Sequence, residues 1–424
     1  MAATETLKPQ AAASRATVSE APSPALAPPP GNPRFPLFDG LRAIAVLGVF
    51  TFHVFEFSGR LGSGIDGRFA EVAVNGVLLF YAISGFLLYR PYVAAHAAGR
   101  SGPSPAAYGR RRALRILPAY WVALTLLAIF PGIIGVFSGD WWRYYGFLQL
   151  YAGRTVTGGI PVAWTLSVEV TFYIALPLWA FVMRRISFRD RARGGSRRWL
   201  VVELLALSVV AAGGLAVQLP AARGGVGHLV GSSLAGASLW FAIGMAFAVV
   251  SVAVERGDAK LDAALRVVTE FPGACWVAAA AAFAGLMALV PRGGLLGFVA
   301  ATQTRQSLHT AGPKIALEAL LLILLIAPAV FGHTLGGAPR RLLRWKPVVW
   351  LGVISYSVYL YHATVIELIA TPGKGSAFSA SGANLLAHLH AARTLVLFVV
   401  SLAATVIVAS ISYRFIELPF LRRK

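Results

Sequence analysis

The chain has 424 residues, of which 57% are hydrophobic and 13% charged, with a mean hydropathy of +0.69 and a formal net charge of +21. Soluble domains carry about a quarter of charged residues, so this composition excludes a water-soluble globular enzyme and points to an all-α integral membrane protein. The single cysteine, Cys275, excludes an internal disulfide framework and any multi-cysteine metal site.

Residues 1–36 are rich in Ala, Pro and Ser, contain no apolar run, and read as a disordered cytosolic tail. No secretory signal is expected ahead of the first apolar segment. Residues 37–424 read as one polytopic membrane domain. About ten apolar segments follow, each roughly the 17–25 residues that cross about 30 Å of hydrocarbon. They lie at 38–57, 72–92, 113–136, 162–183, 199–218, 232–254, 272–291, 313–332, 348–369 and 392–413. Helices are expected, because barrel strands would show alternation over about ten residues instead.

With the N-terminus inside, 27 Lys and Arg fall in the inner segments and 10 in the outer ones, and Arg42 lies within the first helix. This asymmetry predicts a multi-pass protein with both termini cytoplasmic. An Ala-, Arg- and Gly-rich composition fits a high-GC bacterium, and hence its inner membrane. The basic loops then face anionic lipid head groups, so nucleic acid is not needed to explain the charge.

Ionisable side chains inside apolar helices are costly and mark functional candidates. The first helix carries Arg42 and His53. Eleven residues span about 16 Å and close to three turns, so both project from nearly one face. One helix can thus hold an anion near the cytosol and a titratable base deeper in; a snorkelling Arg and a hydrogen-bonded core His are the plain alternative. In the second helix, Ser84-Gly85 permits close helix contact.

The loop after it is basic, with Arg110, Arg111, Arg112 and Arg115 before Ile116-Leu117-Pro118. Arg112 and Arg115 are neighbours on one helix face, suited either to phosphate groups or to anchoring the topology. The fourth helix places Glu169 in an apolar span with Tyr173 one turn on, and a buried carboxylate needs a partner. His53 and Arg42 are the candidates. The ninth helix sets Ser355, Tyr359 and His362 on one polar stripe that lines a cavity or bonds a neighbouring helix. Near the C-terminus, Arg414 and Glu417 are spaced for an ion pair. No Walker-type loop, HExxH or GxSxG motif is present.

Arg42-x10-His53, FYAISGFLL, RRRALRILPAYW, WTLSVEVTFY, LGVISYSVYLYH and SYRFIELPF follow one another along residues 36–424. Together, in this order, they resemble the membrane acyltransferase-3 family. Where that family often has two acidic residues in the fourth-helix motif, Val170 follows Glu169 here. Some relatives carry an extracytoplasmic esterase-like domain; the expectation here is the standalone O-acyltransferase form.

The resemblance implies transfer of an acyl group, acetyl foremost, from cytoplasmic acyl-CoA to a hydroxyl on a glycan, glycolipid or secondary metabolite, with no metal. It implies that Arg42, Arg112 and Arg115 hold donor phosphates and that His53 acts as general base or acyl relay. Glu169 would orient His53, and Tyr173, Ser355, Tyr359 and His362 would line the substrate site. The competing reading is a polytopic transporter, or a flippase of lipid-linked sugars, which accounts equally for the helices and the intramembrane charges.

Overall fold

The computed structural model describes residues 35–156, 158–187, 197–221, 230–290, 308–331, 337–371 and 391–423. Residues 1–34 of the expected tail lie outside the described residues. Among the described residues the regular structure is helical, with no strand. Among the described residues, nine helical stretches are long and apolar enough to cross a membrane, or ten if one bent helix pair is counted as a single span.

The chain starts with α1 (Phe38–Phe57), α2 (Gly64–Ala73), α3 (Gly76–Ala97) and α4 (Pro105–Ile129). These are followed by α5 (Trp164–Ser187), α6 (Arg198–Ala221), α7 (Leu234–Glu255), α8 (Pro272–Leu289) and α9 (Leu308–Val330). The pair α10 (Lys346–Val353) and α11 (Ser355–Ala370) precedes α12 (Ala391–Ser412). All ten expected apolar segments overlap helices, although the third, 113–136, runs on past the end of α4 at Ile129 into non-helical chain.

Two boundaries depart from expectation for physical reasons. α4 starts eight residues ahead of the expected segment. Ser104 caps it by accepting from the Ala107 amide at 3.2 Å, and Pro105 occupies its first turn. The basic residues that end the apolar stretch thus lie on the helix itself. The ninth span is not one helix: α10 and α11 meet at Ile354 with a bend of 76°. α10 is seated by Gly352, where a Cβ would collide with the Asp39 carbonyl of α1.

The core is built from α1, α3, α4, α5, α7 and α11. α3 and α7 approach closely through small residues: a Cβ at Gly85 would strike the Phe241 carbonyl, and one at Gly244 would strike the Ala82 carbonyl. This is the close contact expected of Ser84-Gly85. An aromatic stack runs from Tyr81 through Phe241 to Phe172, with ring centroids 4.8 and 3.9 Å apart. Toward the C-terminal end of α3, buried Arg90 bonds Glu255 and, at 3.1 Å, Ser251, tying α3 to α7 a second time. α6 presents Val201, Leu205 and Val209 outward, as a lipid-facing helix should.

The expected Arg414–Glu417 pair is not the arrangement formed. α12 ends in a π turn over Tyr413–Glu417, where Arg414 is exposed, whereas Glu417 is buried and accepts from Ser357 of α11. Cys275 is a buried thiol on α8.

Candidate active site

A cavity of about 300 Å³ opens between α1, α3, α4, α5 and α11. Seven of the nine residues singled out from the sequence line it: Arg42, Arg112, Arg115, Glu169, Tyr173, Ser355 and Tyr359. They come from four helices. The other two, His53 and His362, do not line it.

At the arginine end, α4 delivers Arg111, Arg112 and Arg115 from successive turns. The Arg112 guanidinium sits 5.9 Å from the centre of the Tyr173 ring. Arg42 is within electrostatic range of Arg115, Tyr173 and Glu169, and its Nη1 lies 3.9 Å from Asp39 one turn earlier. Four guanidinium groups thus share one wall with only two carboxylates, Asp39 and Glu169. An excess of positive charge in a partly buried site favours an anionic ligand.

Glu169 is held by hydroxyls. Its Oε1 accepts from Ser84 Oγ of α3 at 2.6 Å and from Tyr173 OH. Proximity to Arg42 agrees with one of the two partners expected for it. The other, His53, has a different environment. His53 Nδ1 lies 2.8 Å from the Val49 carbonyl and 3.3 Å from Nε2 of His362, and its Nε2 lies 4.0 Å from Glu56. Glu169 therefore does not orient His53; a second imidazole from α11 occupies that place. The two rings meet edge to face with centroids 4.9 Å apart.

Tyr359 separates the two groups. It lines the cavity, and its ring lies 5.6 Å from that of His362 one turn further along α11. Its hydroxyl donates to the Val162 carbonyl at 3.0 Å and pairs with Thr165 Oγ1 at 2.6 Å. Phe80 packs edge-on against it at 6.4 Å. The bend at Ile354 makes this possible: it starts a fresh helix at the cavity, so that Ser355 and Tyr359 face the arginines while His362 reaches His53.

The amino-acid pattern matches the acyltransferase-domain family (Acyl_transf_3) over residues 36–414. The chain belongs to this acyltransferase family. The family match favours acyl transfer over a transporter or flippase. The acyltransferase domain is 27% identical, over 91% of this chain, to the Bacillus subtilis protein YrhL, named as a candidate peptidoglycan O-acetyltransferase. It is 24% identical to the peptidoglycan O-acetyltransferase OatA of Listeria monocytogenes and to the O-acetyltransferase OatA of Staphylococcus aureus, over 91% and 93% of this chain. These matches cover 54%, 55% and 58% of the relatives' own lengths, so the chain spans about half of each. No solved structure matches the chain.

Several residues of the acyltransferase domain's site escaped the sequence reading. Ser84 was read as a packing residue but bonds Glu169. Tyr92 and Tyr108 line the cavity with rings 6.0 Å apart. Thr165 holds Tyr359, and Glu56 approaches His53. Of these only Glu56 carried a readable signal, as a carboxylate one turn from His53 on an apolar helix. Among the described residues, no group of three His, Cys, Asp or Glu is placed to hold a metal ion.

Proposed function

We propose that this domain is a membrane O-acetyltransferase that takes an acetyl group from acetyl-CoA and passes it to a hydroxyl of a cell-envelope glycan. The observation that carries the reading is the convergence of four arginines, Glu169 and Tyr173 in one cavity whose far wall, Tyr359, adjoins the His53–His362 pair. Arg42, Arg112 and Arg115 hold the donor's phosphates through charge-assisted hydrogen bonds. Glu169, fixed by Ser84 and Tyr173, limits the net positive charge there and keeps Arg42 directed into the cavity. His53 takes the proton of the acceptor hydroxyl or relays the acyl group. Ser355 and Tyr359 line the path between them.

The names of the relatives support acetyl as the group and a glycan as the acceptor; the anionic character of the cavity's expected ligand supports a coenzyme A thioester as donor. The charge asymmetry of the loops supports an arginine end on the cytoplasmic side of the inner membrane, with both termini there. His53 then sits about 16 Å further along α1.

The test is acyl transfer from radiolabelled acetyl-CoA in membranes holding wild-type or His53→Ala protein at equal abundance. Label in the glycan fraction that depends on His53 is the expected result. Equal label from both proteins would overturn the role of His53, and no label from wild type would overturn the donor.

A further inference from the structure

His362 entered as a residue lining the substrate site, yet it stands outside the cavity and is only 1% exposed. Its contacts determine where its proton resides. Nδ1 lies 2.8 Å from the Tyr359 carbonyl and 3.2 Å from the Val358 carbonyl. A carbonyl has no proton to give, so Nδ1 must carry the hydrogen and donate it. In the neutral ring Nε2 is then a bare acceptor, and it points at Nδ1 of His53 at 3.3 Å.

The same logic moves to His53. Its Nδ1 faces two acceptors, the Val49 carbonyl at 2.8 Å and the His362 lone pair. The Val49 carbonyl, like the Val358 and Tyr359 carbonyls at His362, has no proton to give and so already favours the hydrogen on Nδ1, although it also takes the helical bond from the His53 amide. The second imidazole adds one that no backbone group competes for. With the proton held on Nδ1, the free lone pair of His53 is on Nε2, the nitrogen that faces Glu56 at 4.0 Å.

We propose that His362 is a positioning residue: its Nε2 lone pair joins the Val49 carbonyl in holding His53 in the Nδ1–H tautomer, which assigns Nε2 as the reacting nitrogen. The inference rests on the reading of His53 as the working base or relay. When Nε2 takes up a proton or an acyl group, the ring becomes positive and the Nδ1–H···Nε2 bond to His362 becomes charge-assisted, hence shorter and stronger. His362 thus supports the charged form of its neighbour without itself touching substrate.

The experiment uses the full chain with histidine labelled by nitrogen-15 in the ring, in lipid nanodiscs, with the His53 signals identified by their loss in His53→Ala. Wild-type protein is expected to show a protonated Nδ1 and an unprotonated Nε2 at His53. His362→Leu, which removes the acceptor, is expected to give a mixture of tautomers and to lower transfer by about 10- to 100-fold, the range seen when an orienting partner is removed. His362→Gln keeps an oxygen that accepts from Nδ1, and should restore both the tautomer and most of the activity. A wild-type His53 protonated on Nε2, or a His362→Leu protein with its tautomer unchanged, would overturn the proposal. Full transfer by His53→Ala alongside the expected tautomers would instead overturn the reading of His53 and leave the positioning intact.

Discussion

The two ends of the site are built on opposite principles. At the arginine end four cations and two carboxylates surround an open volume of about 300 Å³, and most of these side chains are only partly buried. At the histidine end two imidazoles pack against each other and against Phe50 and Phe52, with His53 9% and His362 1% exposed. Unbalanced charge cannot be sealed into an apolar interior without a counter-ion, so the arginine end must remain accessible to a ligand. A pair of neutral rings has no such requirement and tolerates close packing. One region suits an anionic ligand, while the other keeps its ring nitrogens from solvent.

This contrast can be broken or sharpened by substitution. The largest effect is expected at the histidine end, where His53→Ala should lower the turnover number by about 10²- to 10⁴-fold, the usual worth of a positioned base; the donor KM should change little. Next come Arg42→Ala and Glu169→Ala, which disturb both charge balance and cavity shape and should lower kcat/KM without sparing either constant. If Glu169→Gln, which keeps an acceptor for Ser84 and Tyr173, restored activity fully, the negative charge would be irrelevant and only the hydrogen bonds would matter.

Arg112→Ala and Arg115→Ala are each expected to raise the donor KM by about 10- to 100-fold, from loss of charged hydrogen bonds of about 1.5–3 kcal/mol, with kcat nearly unchanged. A lowered kcat at constant KM would place those arginines at the chemistry and dissolve the distinction between the two ends. The smallest effect is expected far from both. On the loop between α4 and α5, Asp140 accepts from Arg154 at 2.8 and 2.9 Å and from Arg143 at 3.0 Å, and the Arg154 bonds foremost hold its carboxyl below the usual range. A lowered native pKa stabilises above the unfolded value and is lost as pH falls through the native one. Asp140→Asn should therefore lower the melting temperature slightly at neutral pH, with the difference from wild type shrinking as the pH falls from about 4 through the lower native value, and leave transfer intact.

Much of this was legible in the amino-acid order. Apolar length located all ten spans, because about 30 Å of hydrocarbon imposes a near-constant number of residues. Intramembrane charge exposed Arg42, His53 and Glu169, because such groups persist only where something requires them. Pairing was not legible. The need of a buried carboxylate for a partner left both His53 and Arg42 open for Glu169; Arg42 is within range, but the hydrogen bonds come from Ser84 and Tyr173. His362 lies 309 residues from His53, and only the way α11 crosses α1 brings them together. The bend at Ile354 was equally silent, since hydropathy records how apolar a stretch is and not its direction.

That bend has a consequence for the bilayer itself. α10 has 8 residues and α11 has 16, so at 1.5 Å per residue the two reach about 12 and 24 Å, and neither alone matches a hydrocarbon layer of about 30 Å. The pair therefore spans a hydrocarbon layer only in combination, and just past its bend α11 turns Ser355 and Tyr359 into the cavity.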